Sequence, residues 1–506
     1  MIDASQPLAL PPDDAHNRAL VAQVHPPDWQ NPTPAPRYNL VVIGGGTAGL
    51  VAAMGAAGLG ARVALVERHL LGGDCLNFGC VPSKALLASA HMAHAASARA
   101  PELGVHASQL RVDARAVLDR LRRLRAEIAP HDGAERLRAA GVDVFLGEGR
   151  FLTPDSVGVG HATLRFARAL IATGGRPVLP PVPGLRECEP RTSDTIWELT
   201  EAPARLVVMG GGPIGCELAQ AFQRLGSQVV LVEREARILG KDHPDAGLLV
   251  RAQLEADGVR VLTGHLAIEA SRSADGTCLR LRDGDGRELE VTGDELLVAA
   301  GRRVALESLD LAAAGIATGE RGLEVDARLR TSNRRVFVAG DAAGGFQFTH
   351  AADAHARLVL RNALFYGRGK VEDLVVPWAT YTEPEVAHVG CTHEEAEREG
   401  LQRFRVDLEA VDRARLEGER GGFAEIYVDA RGRIRGATVV SARAGDLIGE
   451  AALAITAGLR AGQLSQTIHP YPTQAEVWRK LGDAHERTRL RPWVARAFER
   501  WFALSR

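Results

Sequence analysis

Residues 38–67 read YNLVVIGGGTAGLVAAMGAAGLGARVALVE, and residues 205–233 read RLVVMGGGPIGCELAQAFQRLGSQVVLVE. Each begins with an apolar run of strand length, meets a glycine turn, continues as an apolar helix and closes on a second run ending in glutamate. In both, the first fingerprint glycine precedes that glutamate by 23 residues (44 to 67, 210 to 233). A lone GxGxxG is weak. Two of them, each between a strand and a helix and each closed by an acid at the right distance, predict two dinucleotide-binding units. Gly44, Gly46 and Gly49 make the first turn, and Gly210, Gly212 and Gly215 the second. Such glycines let backbone and a helix N-terminus approach a pyrophosphate. Glu67 and Glu233 stand where a carboxylate can accept hydrogen bonds from a ribose. At Glu233 this favours NAD(H) over NADP(H), against the opposing pull of Arg234 and Arg237. The uncharged run from Leu40 to Ala61 is long enough to span a bilayer, but its glycines and its strand-like ending RVALVE favour strand, turn and helix.

The rest of the 506 residues are organised around these units. A net charge of −2 gives no global attraction to nucleic acid. With 54 glycines and 5% aromatics, the composition suits an α/β protein that surrounds large ligands with backbone. The six cysteines do not form a secreted disulfide framework. The N-terminus lacks a basic-then-apolar signal, so a cytoplasmic location is expected. Residues 1–37 read as a proline-rich extension without periodicity. Residues 38–187 and 304–374 read as two parts of one nucleotide domain, with the second nucleotide domain at 188–303 between them. From 375 the pattern changes: AEIYVDARGRIRGATVVS alternates on both sides of Arg431-Gly432, a hairpin signature. Residues 375–490 are expected to form an α+β domain, and 491–506 a basic amphipathic helix.

The stretch GGDCLNFGCVPSKALL places Cys75 and Cys80 five residues apart. Five residues of regular helix rise about 7.5 Å, more than the ~7 Å Cα span of a disulfide. A bridge therefore requires a non-helical turn, for which Asn77 and Gly79 are suited, with the helix starting near Pro82. A thiol at that helix end is biased toward thiolate. No second cysteine pair completes a structural zinc site, so no metal site is expected. Two dinucleotide sites and a redox dithiol define a circuit from nicotinamide through flavin to disulfide.

From Tyr38 to Glu476 the chain resembles the class I pyridine nucleotide–disulfide oxidoreductases, the family of glutathione reductase, dihydrolipoamide dehydrogenase and mercuric reductase. The resemblance rests on the first fingerprint, CLNFGCVPSK, ATGGRP, the second fingerprint, AAGR, VFVAGDAAG, YTEPEVAHVG and PTQAE, in that order. It implies two Rossmann-like FAD/NAD(P) domains plus a C-terminal α+β dimerisation domain. FAD would sit in the first unit, with Thr173 and Gly174 of ATGGRP and Asp341 of AGD beside it. NAD(P)H would sit in the second, near Gly301. Cys80 would be the thiolate facing the flavin and Cys75 the thiol that meets the acceptor. Lys84 would lie by the flavin and pair with Glu217. The enzyme would be a homodimer in which one subunit's C-terminal domain completes the other's active site.

The sequence also departs from that family. Its disulfide reductases carry a histidine five residues before the glutamate that orients it. Five before Glu476 is Tyr471; His469 is seven away. Mercuric reductase is similar in having tyrosine there, but it also carries adjacent C-terminal cysteines, and the last cysteine here is Cys391. TQAE can alternatively be a capping box, with Thr473 as cap and Glu476 reaching back. The expected function is a mercuric-reductase-like, NAD(P)H-dependent flavoenzyme acting on a small acceptor: a disulfide, a soft metal ion or a quinone. A dihydrolipoamide dehydrogenase or other low-molecular-weight disulfide reductase using His469 is the enzymatic alternative. A redox-sensing flavoprotein that signals through a partner is the alternative of another class. Trp493, Phe498, Trp501 and Phe502 give the last helix an apolar face suited to a membrane or a protein, with docking on its own dimer preferred.

Overall fold

The computed structural model describes residues 8–106, 109–319, 322–419 and 421–506. Residues 1–7 of the expected N-terminal extension lie outside the described residues. Strand Tyr38–Ile43 lies between Val63–Glu67 and Ala162–Ile171, parallel to both, and Val142–Leu146 extends the sheet beyond Val63–Glu67. Val336–Val338 pairs with the far side of Ala162–Ile171, so a segment from beyond the second unit returns to the first sheet. The near-continuous apolar runs fit strands covered on both faces. Helix Thr47–Gly58 follows the first turn and packs on helix Thr349–Leu364.

The second unit repeats the plan. Its parallel sheet runs Arg260–Thr263, Gln228–Glu233, Arg205–Met209, Glu295–Val298 and Arg191–Thr192. The run from Leu40 to Ala61 is therefore a strand, a turn and a helix. Among the described residues no helix is long and apolar enough to cross a membrane.

The C-terminal domain is an antiparallel five-stranded sheet, Trp378–Thr380, Glu385–Gly390, Ile434–Ser441, Phe423–Val428 and Gln402–Asp407. The hairpin turns at Arg431-Gly432 as its alternation predicts. Helix Ala444–Thr456 covers one face, and Trp478 of helix Glu476–Thr488 is fully buried in this core. Helix Pro492–Leu504 forms as expected, with none of its residues buried.

Three local expectations are corrected. The N-terminal extension is not without periodic structure: Ala15–Val24 is a helix capped by Asp14, with Leu20, Val21 and Val24 buried in the core of the first unit. The helix after the cysteines starts at Cys80, not near Pro82, and Asn77 ends the short helix Gly73–Asn77, so the break falls at Phe78-Gly79. The capping box at TQAE does not form. Thr473 Oγ1 donates to the Pro470 carbonyl at 2.8 Å, and Glu476 opens the helix itself.

Candidate functional site

A continuous cavity of about 3050 Å³ joins the two glycine turns, the cysteines and the segment 339–350. At each turn the backbone explains the glycines. Gly44 has φ +109° and Gly210 φ +115°, and a Cβ on either would collide with a carbonyl, Ala172 O at 2.2 Å or Ala299 O at 2.5 Å. A Cβ on Gly49 or Gly215 would lie 1.8 Å from the carbonyl of the turn's first glycine, so helix and turn pack only without side chains. Gly46 and Gly212 cap the following helices and make no side-chain capping bond. The first helical N–H groups are thus available to a phosphate.

Glu67 and Glu233 act on their own turns as well. Glu67 accepts from the N–H of Gly45 at 2.6 Å and of His69 at 2.7 Å. Glu233 accepts from Gly211 at 2.6 Å and Glu235 at 2.8 Å. Burial raises the Glu67 pKa, against the lowering effect of those two N–H groups. Each carboxylate oxygen has a second lone pair for a ribose hydroxyl. Arg234 reaches Glu235, and Arg237 reaches the Gly240 carbonyl and Glu394; both arginines line the cavity beside Glu233.

Thr173, Gly174, Gly301 and Asp341 all line the same cavity. Thr173 Oγ1 is buried without a protein partner, so a polar group of a ligand is its natural complement. Burial raises the Asp341 pKa, opposed by Arg302. These features fit FAD in the first unit and a nicotinamide dinucleotide in the second.

The turn at Phe78-Gly79 brings the two thiols together. Cys75 and Cys80 are free and hydrogen-bonded to each other, and Cys80 Sγ is also 3.4 Å from Thr349 Oγ1. The Cys75 hydrogen bond lowers the Cys80 pKa to about 6, helped by Thr349 and the nearby Lys84 ammonium and opposed by burial. Cys75 is pushed upward by that same bond and then by burial. The pair is therefore asymmetric at neutral pH: Cys80 is thiolate and Cys75 thiol. Cys80 stands at the N-terminus of helix Cys80–His94, where the backbone also favours the anion.

Lys84, one turn along that helix, donates to Glu217 Oε2 at 2.8 Å. The Glu217 side chain is only 6% exposed and also accepts the Tyr381 N–H at 2.9 Å. The Lys84 ammonium lies 4.5 Å from the Tyr381 ring centroid. Burial acts to lower the Lys84 pKa, but Glu217's charge and hydrogen bond outweigh it, so the net shift is upward.

Sequence reasoning missed several groups. Arg302 bonds Asp74 and lies 3.8 Å from Asp194 and 3.9 Å from Asp341, gathering three carboxylates at the cavity wall. Burial raises Asp74 to about 6 despite Arg302. Thr349, Tyr381 and Arg302 come from distant segments; Arg302 and Tyr381 stand in the motifs AAGR and YTEPEVAHVG, whereas nothing local in the sequence announces Thr349.

The stretch IHPYPTQAE lies apart from this cavity: none of residues 468–476 lines it. His469 is buried, with Nε2 2.9 Å from Glu450 Oε1. Tyr471 is 70% exposed and donates to Asp412 at 3.0 Å, and that carboxylate raises its pKa. Glu476 is buried, with Oε1 2.6 Å from Arg479 and Oε2 without a partner. Tyr471 and Glu476 are not hydrogen-bonded to each other among the described residues.

One polar cluster stands elsewhere. His243, His393 and Glu425 place one ligand atom each within 4.8 Å of one another. His243 Nδ1 accepts the Asp245 N–H at 3.1 Å, so the neutral ring carries its proton on Nε2, which faces Glu425 at 3.5 Å. That face presents a proton rather than a lone pair, and the cluster reads as a polar contact between the second unit and the C-terminal domain.

The assembled features are those of a two-dinucleotide flavoprotein with a redox dithiol, and comparison with known proteins agrees. The family model described as pyridine nucleotide-disulphide oxidoreductase matches residues 38–356, and that of its dimerisation domain matches 376–481. The chain belongs to the pyridine nucleotide-disulphide oxidoreductase family, whose members use FAD and NAD(P)H. The dimerisation domain indicates a homodimer. A mercuric reductase of Bacillus cereus is 35% identical over 443 residues, 87% of this chain and 70% of that protein. A dihydrolipoyl dehydrogenase of Thermus scotoductus is 35% identical over 462 residues, 88% of this chain and 97% of that protein. A solved structure of the Cu(II) complex of the HOCl-induced flavoprotein disulfide reductase RclA from Escherichia coli superposes with a TM-score of 0.78 at 27% identity, over 89% of this chain and 99% of that one.

Proposed function

We propose that this enzyme uses NAD(P)H to reduce the Cys75–Cys80 disulfide, and that the resulting dithiol reduces a small acceptor as mercuric reductases do. The observation that carries the reading is the asymmetric thiol pair on the cavity shared by both glycine turns. FAD, when bound, supplies two-electron transfer between nicotinamide and sulfur. This chain's residues do the rest. Cys80 holds the thiolate, with Lys84 and Thr349 stabilising its charge and Glu217 holding Lys84 in place. Cys75 holds its proton at rest and gives it up to solvent as it attacks or binds the acceptor, because the thiolate is the reactive form. Reducing the disulfide takes two electrons and two protons and yields two thiols. A divalent soft metal ion reduced to the element takes the electrons and returns the pair to disulfide, releasing both protons.

Reduction of a soft metal ion is favoured over oxidation of a dihydrolipoamide-type dithiol by the state of residues 469 and 471. Deprotonating a dithiol substrate needs a base, and His469 is buried against Glu450. Tyr471 is exposed and available to a partner subunit's site, as a donor rather than a base. We assign Tyr471 and Glu476 to that second half of the site, and the domains to the spans given by the sequence. The test is a steady-state screen of NADH and NADPH oxidation against Hg(II), Cu(II), lipoamide, glutathione disulfide and a quinone, on wild type and Cys75→Ser. Sustained turnover with a metal ion, lost in Cys75→Ser, is expected. Equal turnover in the variant refutes the role of Cys75, and a single reduction without turnover favours a sensor.

A further inference from the structure

The segment before residue 38 precedes the whole family match, yet it lines the cavity. Leu10, His25, Pro26, Pro27, Trp29 and Asn31 all contribute to the wall. The segment is fixed at two places. At the end of Val63–Glu67, Leu71 N donates to the Val24 carbonyl at 3.1 Å and His25 Nδ1 meets the His69 carbonyl. At Val142–Leu146, Trp29 Nε1 donates to the Val144 carbonyl at 3.2 Å. Asn31 there makes a two-way bond with Leu146, donating to its carbonyl at 2.9 Å and accepting its N–H at 2.8 Å. The Arg138 guanidinium lies 5.3 Å from the Trp29 ring centroid. Asp14 pairs with the buried Arg122 at 2.6 Å, holding the preceding helix.

Residues 25–31 thus cross between the carboxyl ends of two neighbouring strands. In a dinucleotide fold the pyrophosphate lies at the glycine turn and the ribose at the acid closing the second strand. An adenine joined to that ribose would lie beyond Glu67, toward the span that residues 25–31 cross. The chain contains its own control. The second unit has the same turn and the same acid, but among the described residues its edge strand Arg260–Thr263 receives no such segment; the Thr263 carbonyl is met by the neighbouring His265. The first unit's ligand is a resident flavin, whereas the second unit's dinucleotide must leave after every turnover.

We propose that residues 25–31 are a built part of the FAD site, a strap over the adenosine end that retains the flavin. The ligand class is the adenosine half of FAD. His25, Pro26 and Pro27 face the cavity, and Trp29 and Asn31 hold them in position. The inference rests on FAD occupying the first unit.

The test uses the full chain and no turnover. FAD is removed and titrated back while its fluorescence is followed, in wild type, in Trp29→Ala/Asn31→Ala and in Asn31→Asp. The aspartate keeps the shape of asparagine but sets an oxygen against the Leu146 carbonyl. An increase in FAD Kd of at least tenfold, about 1.4 kcal/mol, is expected in the double variant. A smaller rise is expected in Asn31→Asp, with NAD(P)H affinity unchanged in both, the apo melting temperature unchanged in Asn31→Asp, and that of the double variant lowered by less than its FAD complex, since Trp29 also packs on the first unit's core. A double-variant Kd within about twofold of wild type overturns the strap. So does an apo melting temperature that falls as far as that of the FAD complex, because the segment would then serve only the core. Wild type that binds no FAD overturns the assignment on which the strap rests.

Discussion

The asymmetry between the two thiols turns on one hydrogen bond, which single substitutions can remove. Cys75→Ala deletes the donor, whereas Cys75→Ser replaces it with a hydroxyl that can still donate to Cys80. Both leave Cys80 as the single thiol beside an oxidised flavin, so its long-wavelength thiolate–flavin absorbance titrates with Cys80 alone. A hydrogen bond to a charged acceptor contributes about 1.5–3 kcal/mol. At 1.36 kcal/mol per pH unit, that is about 1–2 units. The Cys75 bond is the largest of the influences that bring Cys80 to about 6, and Thr349 and Lys84 remain after it is lost. The band should therefore appear about 1–2 pH units higher in Cys75→Ala than in Cys75→Ser. The direction follows because a lost donor destabilises the thiolate and leaves the thiol unaffected. Midpoints that agree within about 0.3 unit would refute the reasoning and leave the helix terminus and Lys84 as the source of the shift.

Tyr471→Phe should lower turnover with metal ions by about tenfold or more and change stability by no more than about 0.5 kcal/mol, because the side chain is exposed. His469→Ala should do the opposite, lowering the melting temperature through the lost Glu450 contact while turnover is largely kept; the reverse order in kinetics and melting would show the active-site register to be wrong. Lys84→Ala leaves the Glu217 carboxylate buried without its cation, a loss of about 2–3 kcal/mol once the 37% exposure of the Lys84 side chain is allowed for. Because the folded pKa of Lys84 is raised, its contribution is fully present below the unfolded value of 10.5 and is lost as pH climbs through the higher folded value. Denaturation curves should show that alkaline limb in wild type and not in the variant.

What was legible in the sequence was what local pattern encodes. The two fingerprints show their glycines because a Cβ at Gly49 or Gly215 would overlap a carbonyl, and the spacing to Glu67 and Glu233 follows from one helix and one strand. The Lys84–Glu217 pair was legible only through family resemblance, since 133 residues separate its partners. Arg302 and Tyr381 stand in the motifs AAGR and YTEPEVAHVG, but their place at the site, like that of Thr349, is set by topology. The N-terminal helix was missed because prolines surround it and its core-facing residues are few: only Leu20, Val21 and Val24 among its apolar residues are buried. The segment that follows it is held by the side chains of Trp29 and Asn31 on strand backbone 115 residues away, which no periodicity records.

The stretch IHPYPTQAE illustrates a different limit, because the role proposed for it depends on a chain that is not its own. Two residues apart, His469 faces inward to Glu450 while Tyr471 stands exposed beside Ile468, which is 94% exposed. An aliphatic and an aromatic side chain left bare on one loop of a dimerisation domain are candidates for burial by a second subunit. Only the outward member of the pair can reach that subunit's cavity without remodelling this one. A proton carrier that must first break its own buried contact is a poor acid for a site across an interface. On the proposed function, the division of labour between residues 469 and 471 is set by which way each side chain leaves the loop. Counting back from Glu476 and asking which side chain points out are independent routes to the same residue, Tyr471.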